Sequence, residues 1–288
     1  MENKITTEWP RVSVVTPSYN QVKFIEETMT SVLEQGYPNL EYIVVDGGST
    51  DGSVEVIRRY ADRLAFWVSE KDNGPADAIR KGFERATGEI FAYINSDDPY
   101  VPAALFTAAK AMDGSCDVVY GDTYWTDSEG QMLGQRRQTP FDAMGYLYGG
   151  FDLQQPSTFW RRELYWNAGG INPDFKFAFD ADLFFRFVKT GARFKHVKKF
   201  LSCYRIHPQS KSSTESTVLE RELGKIRKQY LEFSIDSIQA RWFRNRSRFR
   251  RALSYLLQGD ALWLASRIPD RLISRRSGVT VGPKARSM

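Results

Sequence analysis

Residues 11–52 read RVSVVTPSYNQVKFIEETMTSVLEQGYPNLEYIVVDGGSTDG. The run Val12–Thr16 is rich in β-branched residues and ends at Pro17, the signature of a short buried strand. Apolar residues then recur at helical spacing from Val22 to Gln35, and Gly36 and Pro38 stop the pattern. Glu41–Asp46 is a second strand, closed by a glycine-rich turn. The alternation continues outward. Ser53–Tyr60 is expected to be helical, Ala65–Ser69 a strand, and Pro75–Ala86 a helix with proline near its start, where a missing N–H costs little. Gly88 breaks that helix, and Ile90–Ile94 is a strand leading into Asn95-Ser96-Asp97-Asp98-Pro99. Strands and helices alternating at such short intervals predict an α/β fold with a Rossmann-like, mostly parallel sheet flanked by helices.

The middle of the chain is less regular. Cys116–Tyr120 and Met132–Arg137 are expected strands around the turn Asp127–Gly130. Phe141–Gly150, aromatic and glycine-rich, is expected to be a mobile loop. Helices are expected at Arg161–Asn167 and Asp180–Lys189, and a late strand at Lys198–Arg205. Helical patterns then cover Ser216–Phe233, Ile235–Leu257 and Ala261–Ile273.

A chain of 288 residues with 42% hydrophobic and 14% aromatic residues can bury one α/β core plus an appendage. Its two cysteines, Cys116 and Cys203, lie far apart, which implies neither a metal knuckle nor a disulfide framework and fits a reducing compartment. No signal peptide and no run of about 18 apolar residues is read. Charge is uneven: residues 241–288 hold 12 Lys+Arg against 2 Asp+Glu, leaving 28 against 33 for residues 1–240. The body is mildly acidic and the tail strongly basic.

Three polar clusters fall at the carboxyl ends of predicted strands: Pro17–Asn20, Asp46–Asp51 and Asn95–Asp98. That is where open α/β sheets collect ligands. Helix capping accounts for one such cluster more readily than for three together. The Asp46–Gly52 turn, with Gly48 and Ser49, lets a ligand approach backbone closely. It is neither a Walker loop nor Gly-x-Gly-x-x-Gly, which disfavours a dinucleotide oxidoreductase. Asp46 offers an acceptor to a base or ribose and Tyr19 an aromatic face, although ordinary packing explains either. The adjacent carboxylates Asp97 and Asp98 repel unless a cation intervenes, and hard oxygen ligands suit Mg²⁺ or Mn²⁺. Asp180 and Asp182 open a helix about 200° apart. Asp182 pairs with Arg186 four residues on, which leaves Asp180 to face a cleft as a base or simply to favour the helix dipole. Of the two histidines, His196 is expected at the surface, and His207 is a candidate metal ligand or a plain loop residue.

These stretches in this order, with QPSTFWRRELYWNAGGIN, FDADLFFRF and YRIHPQSKS, resemble the family 2 glycosyltransferases of the nucleotide-diphospho-sugar transferase fold. The likeness runs from about Arg11 to Ser213. It implies that Pro17, Tyr19 and Asp46 hold the base of the nucleotide, usually uridine, and that Asp72, Asp77 and Lys81 line the nucleotide-sugar pocket. It implies that Asp97 meets ribose or metal and that Asp98 ligates the Mg²⁺ or Mn²⁺. Asp180 would deprotonate the acceptor hydroxyl, with inversion at the anomeric carbon, and His207 would approach the diphosphate or metal. The late motif is Phe179-Asp180 where many relatives have Glu-Asp, and Arg80 replaces a common Asn. The Gln-x-x-Arg-Trp motif of processive synthases is absent from its expected place, which predicts transfer of one sugar per encounter.

The resulting expectation is a metal-dependent enzyme moving a hexosyl or N-acetylhexosaminyl group from a nucleotide-sugar donor, in polysaccharide, O-antigen or glycolipid assembly. Its acceptor would be a carbohydrate or a polyprenyl-linked glycolipid. Residues 1–214 would form the catalytic domain, with donor binding over about 11–98 and the acceptor side over about 113–214. Residues 215–288 would form a basic amphipathic extension. That extension suits an anionic membrane surface, a dimer contact being the alternative, and no nucleic-acid module is present. The protein is expected to be cytoplasmic, peripheral on the inner face of the cytoplasmic membrane where the tail docks. Rival readings are a sugar-phosphate nucleotidyltransferase, for which TPSYNQVKF lacks a basic Gly-rich signature, and a non-catalytic nucleotide-sugar-binding module.

Overall fold

The computed structural model describes residues 9–208 and 216–257. The chain forms, in order, β1 (Val12–Ser18), α1 (Ile25–Leu33), β2 (Leu40–Asp46), α2 (Ser53–Arg59), β3 (Phe66–Ser69), α3 (Pro75–Arg85), β4 (Ile90–Tyr93) and α4 (Ala104–Ala111). There follow β5 (Val118–Thr126), β6 (Met132–Arg136), α5 (Ala143–Leu147), β7 (Thr158–Arg161), α6 (Arg162–Asn167), α7 (Phe179–Lys189), β8 (Phe194–Arg205), α8 (Ser216–Tyr230) and α9 (Ile238–Leu257). One sheet holds all eight strands in the order β3-β2-β1-β4-β7-β5-β6, with β8 pairing β5. Strands β1 to β4 pair in parallel, β7 runs antiparallel to β4 and β5, and β8 returns parallel to β5.

The two-residue period of a strand sorts side chains into two layers. Val12 and Val14 of β1, Tyr42 and Val44 of β2, and Ile90 and Ala92 of β4 enter one core with α1, α2 and α4. Val15, Ile43, Val45, Phe91 and Tyr93 enter the other, against α3, α6, α7 and α8. The second layer is tight. A Cβ at Gly82 of α3 would lie 2.4 Å from a Val15 methyl, so only glycine lets this helix lie on β1.

Several expectations need correction. Phe141–Gly150 is not a loose loop. Its centre is α5, capped by the Asp142 carboxylate accepting from Gly145 N–H at 3.1 Å, and Leu147 and Tyr148 are buried in the core. Tertiary packing of aromatic side chains orders a stretch that composition alone marks as flexible. His196 is not at the surface: its side chain is 5% exposed, its Nε2 lies 3.0 Å from Asp122, and its ring stacks on Tyr120. In the extension, Ile226 of α8 and Ala240 of α9 are buried in the same core as α7. The expected helix Ala261–Ile273 lies outside the described residues.

Candidate functional site

The parallel strands β1, β2 and β4 deliver their three polar loops to one end of the sheet. The first two are stitched together. Asn20 N–H donates to Ser49 Oγ at 2.8 Å, Thr50 N–H donates to Asn20 Oδ1 at 2.9 Å, and Gly47 N–H donates to the Ser18 carbonyl at 2.8 Å. Asn20 adopts φ 52°, a left-handed conformation that asparagine tolerates and that loops at binding sites often hold. Tyr19 beside it is 59% exposed, an uncommitted aromatic face at the mouth of the site.

Asp46 behaves differently from expectation. It is fully buried and accepts from Gly48 N–H, Ser49 N–H, Ser49 Oγ and Ser69 Oγ at 2.5–3.1 Å. Its carboxylate shapes the glycine-rich turn, leaving the turn itself to face a ligand. Asp72 packs over that turn: a Cβ on Gly47 would fall 2.7 Å from its carboxylate. Along the same edge, Asp77 binds Arg80 at 2.8 Å and lies 3.7 Å from the Lys81 ammonium, which itself binds Glu70 at 2.8 Å. Asp72, Asp77 and Lys81 therefore form one charged rim beside β2, and Arg80 is part of it.

The loop after β4 separates its two aspartates. Asp98 is 2% exposed, accepting from Arg205 N–H at 2.8 Å and from the Asn95 amide at 3.2 Å. Burial, and then the charge of Asp97, push its pKa well above the carboxylate range. Asp97 turns the other way, and its Oδ2 lies 3.1 Å from His207 Nε2. Of the two aspartates, Asp97 is the one within 3.1 Å of the His207 ring, while Asp98 is bonded to Arg205 N–H. Asp98, the more buried of the two, is held by one backbone and one amide donor.

The carboxylate and imidazole suit a hard divalent cation. Adjacent corners of an octahedron with bonds of about 2.1 Å lie about 3.0 Å apart, close to the observed 3.1 Å. Among the described residues no cluster of three or more His, Cys, Asp and Glu gathers. Any such ion would complete its shell from phosphate and water, as Mg²⁺ usually does.

Arg205 was not singled out from the sequence, although it stands two residues before His207 in YRIHPQSKS. It is 3% exposed. Its guanidinium donates to the Asp97 carbonyl at 3.0 Å, the Ser128 carbonyl at 3.1 Å and Glu27 at 2.6 Å. One residue thereby ties the aspartate loop, α1 and β8 together.

Asp180 stands at the start of α7 with partial access to solvent. Burial raises its pKa to about 6, opposed by the Ala181 N–H that donates to it at 2.7 Å. Tyr93, at the end of β4, packs against Phe179 of α7 with ring centroids 6.1 Å apart, and its hydroxyl pKa is pushed far up by burial and then by the charges of Asp180 and Asp98. Asp182 is fully buried against Arg186 at 2.6 Å, as its spacing predicted. The start of α7 is fixed from the extension: Glu222 of α8, 5% exposed, accepts from Lys176, Phe177 and Ala178 N–H at 2.8–2.9 Å. Nothing local in the sequence announces that contact.

The family described as Glycosyl transferase family 2 matches residues 13–178. Over 98 residues the chain is 43% identical to TuaG of Bacillus subtilis, named as a teichuronic acid biosynthesis glycosyltransferase. That match takes in 33% of this chain and 39% of that protein's length. It is 30% identical over 185 residues to an uncharacterized glycosyltransferase of Mycobacterium tuberculosis, 62% of this chain and 70% of the relative. Among solved structures, mannosyltransferase PcManGT from Pyrobaculum calidifontis, in complex with GDP-Man and Mn²⁺, superposes with TM-score 0.63 at 20% identity, covering 94% of this chain and 82% of the other. S. aureus TarS 1-349 in complex with UDP-GlcNAc gives TM-score 0.58 at 20% identity, covering 82% and 79%. At these identities the structural likeness is one of fold.

Proposed function

This chain belongs to glycosyl transferase family 2, and on that premise we propose that it is an inverting, metal-dependent glycosyltransferase moving one sugar from a nucleotide-diphosphate sugar, a UDP-sugar first among candidates, to an acceptor hydroxyl. The observation that carries this reading is that β4, whose exit loop holds the Asp97–His207 pair at 3.1 Å, packs through Tyr93 against Phe179, the residue before Asp180 on α7, whose carboxyl pKa is raised by burial to about 6.

Tyr19 offers its exposed ring to the base, while Asn20, Gly48 and Ser49 present loop backbone to the nucleotide. Asp46 acts by shaping that loop. Asp72, Asp77 and Lys81 border the sugar-diphosphate. Asp97 and His207, in place of Asp98, would hold the cation, with Asp98 and Arg205 fixing the loop behind them. A bound divalent cation supplies charge neutralisation to a departing diphosphate. On the opposite side the acceptor hydroxyl donates a hydrogen bond to Asp180. As its oxygen bonds to the anomeric carbon, its proton passes to the Asp180 carboxylate, and the sugar–phosphate electron pair leaves on the diphosphate. Attack opposite the leaving group inverts the centre. A base with a pKa near 6 is ionised at neutral pH yet basic enough to accept that proton.

The donor complexes named for PcManGT and TarS and the polymer named for TuaG support this class and a role in polysaccharide or glycolipid assembly, with a glycan or polyprenyl-linked glycolipid as acceptor. A melting panel of UDP- and GDP-sugars with and without Mn²⁺ tests the reading. A donor at one hundred times its Kd stabilises by about 2.7 kcal/mol, about 4–5 °C for a chain of this size. No shift with any nucleotide sugar in the presence of Mn²⁺ would overturn it.

A further inference from the structure

Helix α9 has two faces of different character. Its inner face is fully engaged. Ala240, Ser247 and Tyr255 are buried, and a Cβ on Gly145 or Gly150 would collide with Ser247. The Arg251 guanidinium donates to the Gly150 carbonyl at 2.9 Å, and the Tyr255 hydroxyl to the Arg137 carbonyl at 2.8 Å. The opposite face carries Ile238, Trp242, Phe249, Leu253 and Leu256, which are 82, 57, 70, 44 and 52% exposed. At 100° per residue these five fall within a sector of about 60°. Exposed arginines border the stripe on both sides: Arg241 and Arg248 on one, Arg246 and Arg250 on the other. Arg246 lies over the Trp242 ring at 5.4 Å. The helix contains no Asp or Glu.

We propose that this face of α9 is a docking surface for an anionic lipid bilayer, the helix lying in the interface with its stripe among the acyl chains and its arginines on the lipid phosphates. A stripe of large apolar side chains between two cationic rows is what an interfacial helix requires. No helix among the described residues is long and apolar enough to cross a membrane, so this is attachment along the surface. A second copy of the helix would set arginine rows against arginine rows with no carboxylate to meet them. The chain's own residues 258–288 hold six Lys+Arg against two Asp+Glu and offer no better charge complement. A nucleic acid would answer the arginines but leave three of the five apolar side chains, the aliphatic ones, without a partner.

Flotation of the full chain with phosphatidylcholine vesicles, with and without phosphatidylglycerol, tests the docking and needs neither donor nor metal. The native chain is expected to float with the anionic vesicles and to be released by salt. Trp242→Ser with Phe249→Ser should lower the vesicle-bound to free ratio on the order of tenfold or more. Arg246→Gln with Arg250→Gln should lower it on the order of thirtyfold on anionic vesicles, with little change on neutral ones. All four side chains are solvent-exposed, so both variants should keep the native melting curve. The proposal is overturned by native-like flotation of both variants, or by native protein that stays at the bottom of the gradient. It is equally overturned by vesicle-independent dimerisation that the Trp242/Phe249 variant abolishes, or by tight binding to a single-stranded RNA probe in place of vesicles.

Discussion

Replacing Asp180 by Asn should raise stability while removing activity. Desolvation lifts the Asp180 pKa from 3.8 to about 6. At about 1.4 kcal/mol per tenfold change, holding this carboxylate ionised at pH 7 costs at most about 3 kcal/mol of folding stability. Its partial access to solvent lowers the realistic figure to about 1–2 kcal/mol. Asn keeps an oxygen to accept the Ala181 N–H, so that hydrogen bond survives. The folded chain binds the Asp180 proton more tightly than the unfolded chain does. The native protein therefore loses stability as pH rises from 3.8 through 6, and the variant does not. The melting temperature of Asp180→Asn should exceed native by about 2–3 °C at pH 7.5. The gain should shrink as pH falls from 6 and vanish below 3.8. Turnover should drop on the order of hundreds-fold or more while donor affinity stays near native. Scanning calorimetry across pH, paired with single-turnover kinetics, reads both. A variant melting below native at pH 7.5, or one that turns over normally, would refute the reasoning.

Three further outcomes follow from the geometry. In native enzyme kcat/KM should rise through about pH 6 to a plateau as Asp180 ionises, and a profile flat from pH 5 to 8 would remove it as the base. Glu222→Ala strips the acceptor from three backbone donors ahead of α7. It should cost about 3–5 kcal/mol by urea titration and lower turnover more than donor affinity, because Asp180 loses its register. His207→Ala should abolish the Mn²⁺-dependent part of the donor melting shift, with the shift measured against each protein's own ligand-free curve.

How much of this was legible in the sequence depends on whether the deciding contact is local. Val12–Thr16, Glu41–Asp46 and Ile90–Ile94 announce themselves because a buried parallel strand is apolar on both faces, and their order places three loops at one sheet end. Asp182–Arg186 was legible for the same reason, as four-residue spacing on a helix is a contact. Asp97 and Asp98 were legible as a pair, but their different surroundings were not. They are set by Arg205, 107 residues from Asp98, whose backbone N–H turns one carboxylate inward. His196 looked superficial among lysines and is buried because β8 pairs β5 beside Asp122. Glu222 sits in a charged helical pattern that reads as solvated, and only the packing of α8 against α7 reveals its role.

The direct test of the central claim is the anomalous scattering of Mn²⁺ in crystals of the chain grown with a nucleoside diphosphate. The account predicts one peak at about 2.2 Å from both Asp97 Oδ2 and His207 Nε2, with the nucleotide phosphates completing its shell and Asp98 still bonded to Arg205 N–H. A nucleotide bound elsewhere, or a Mn²⁺ peak on Asp98 with His207 uninvolved, would contradict it.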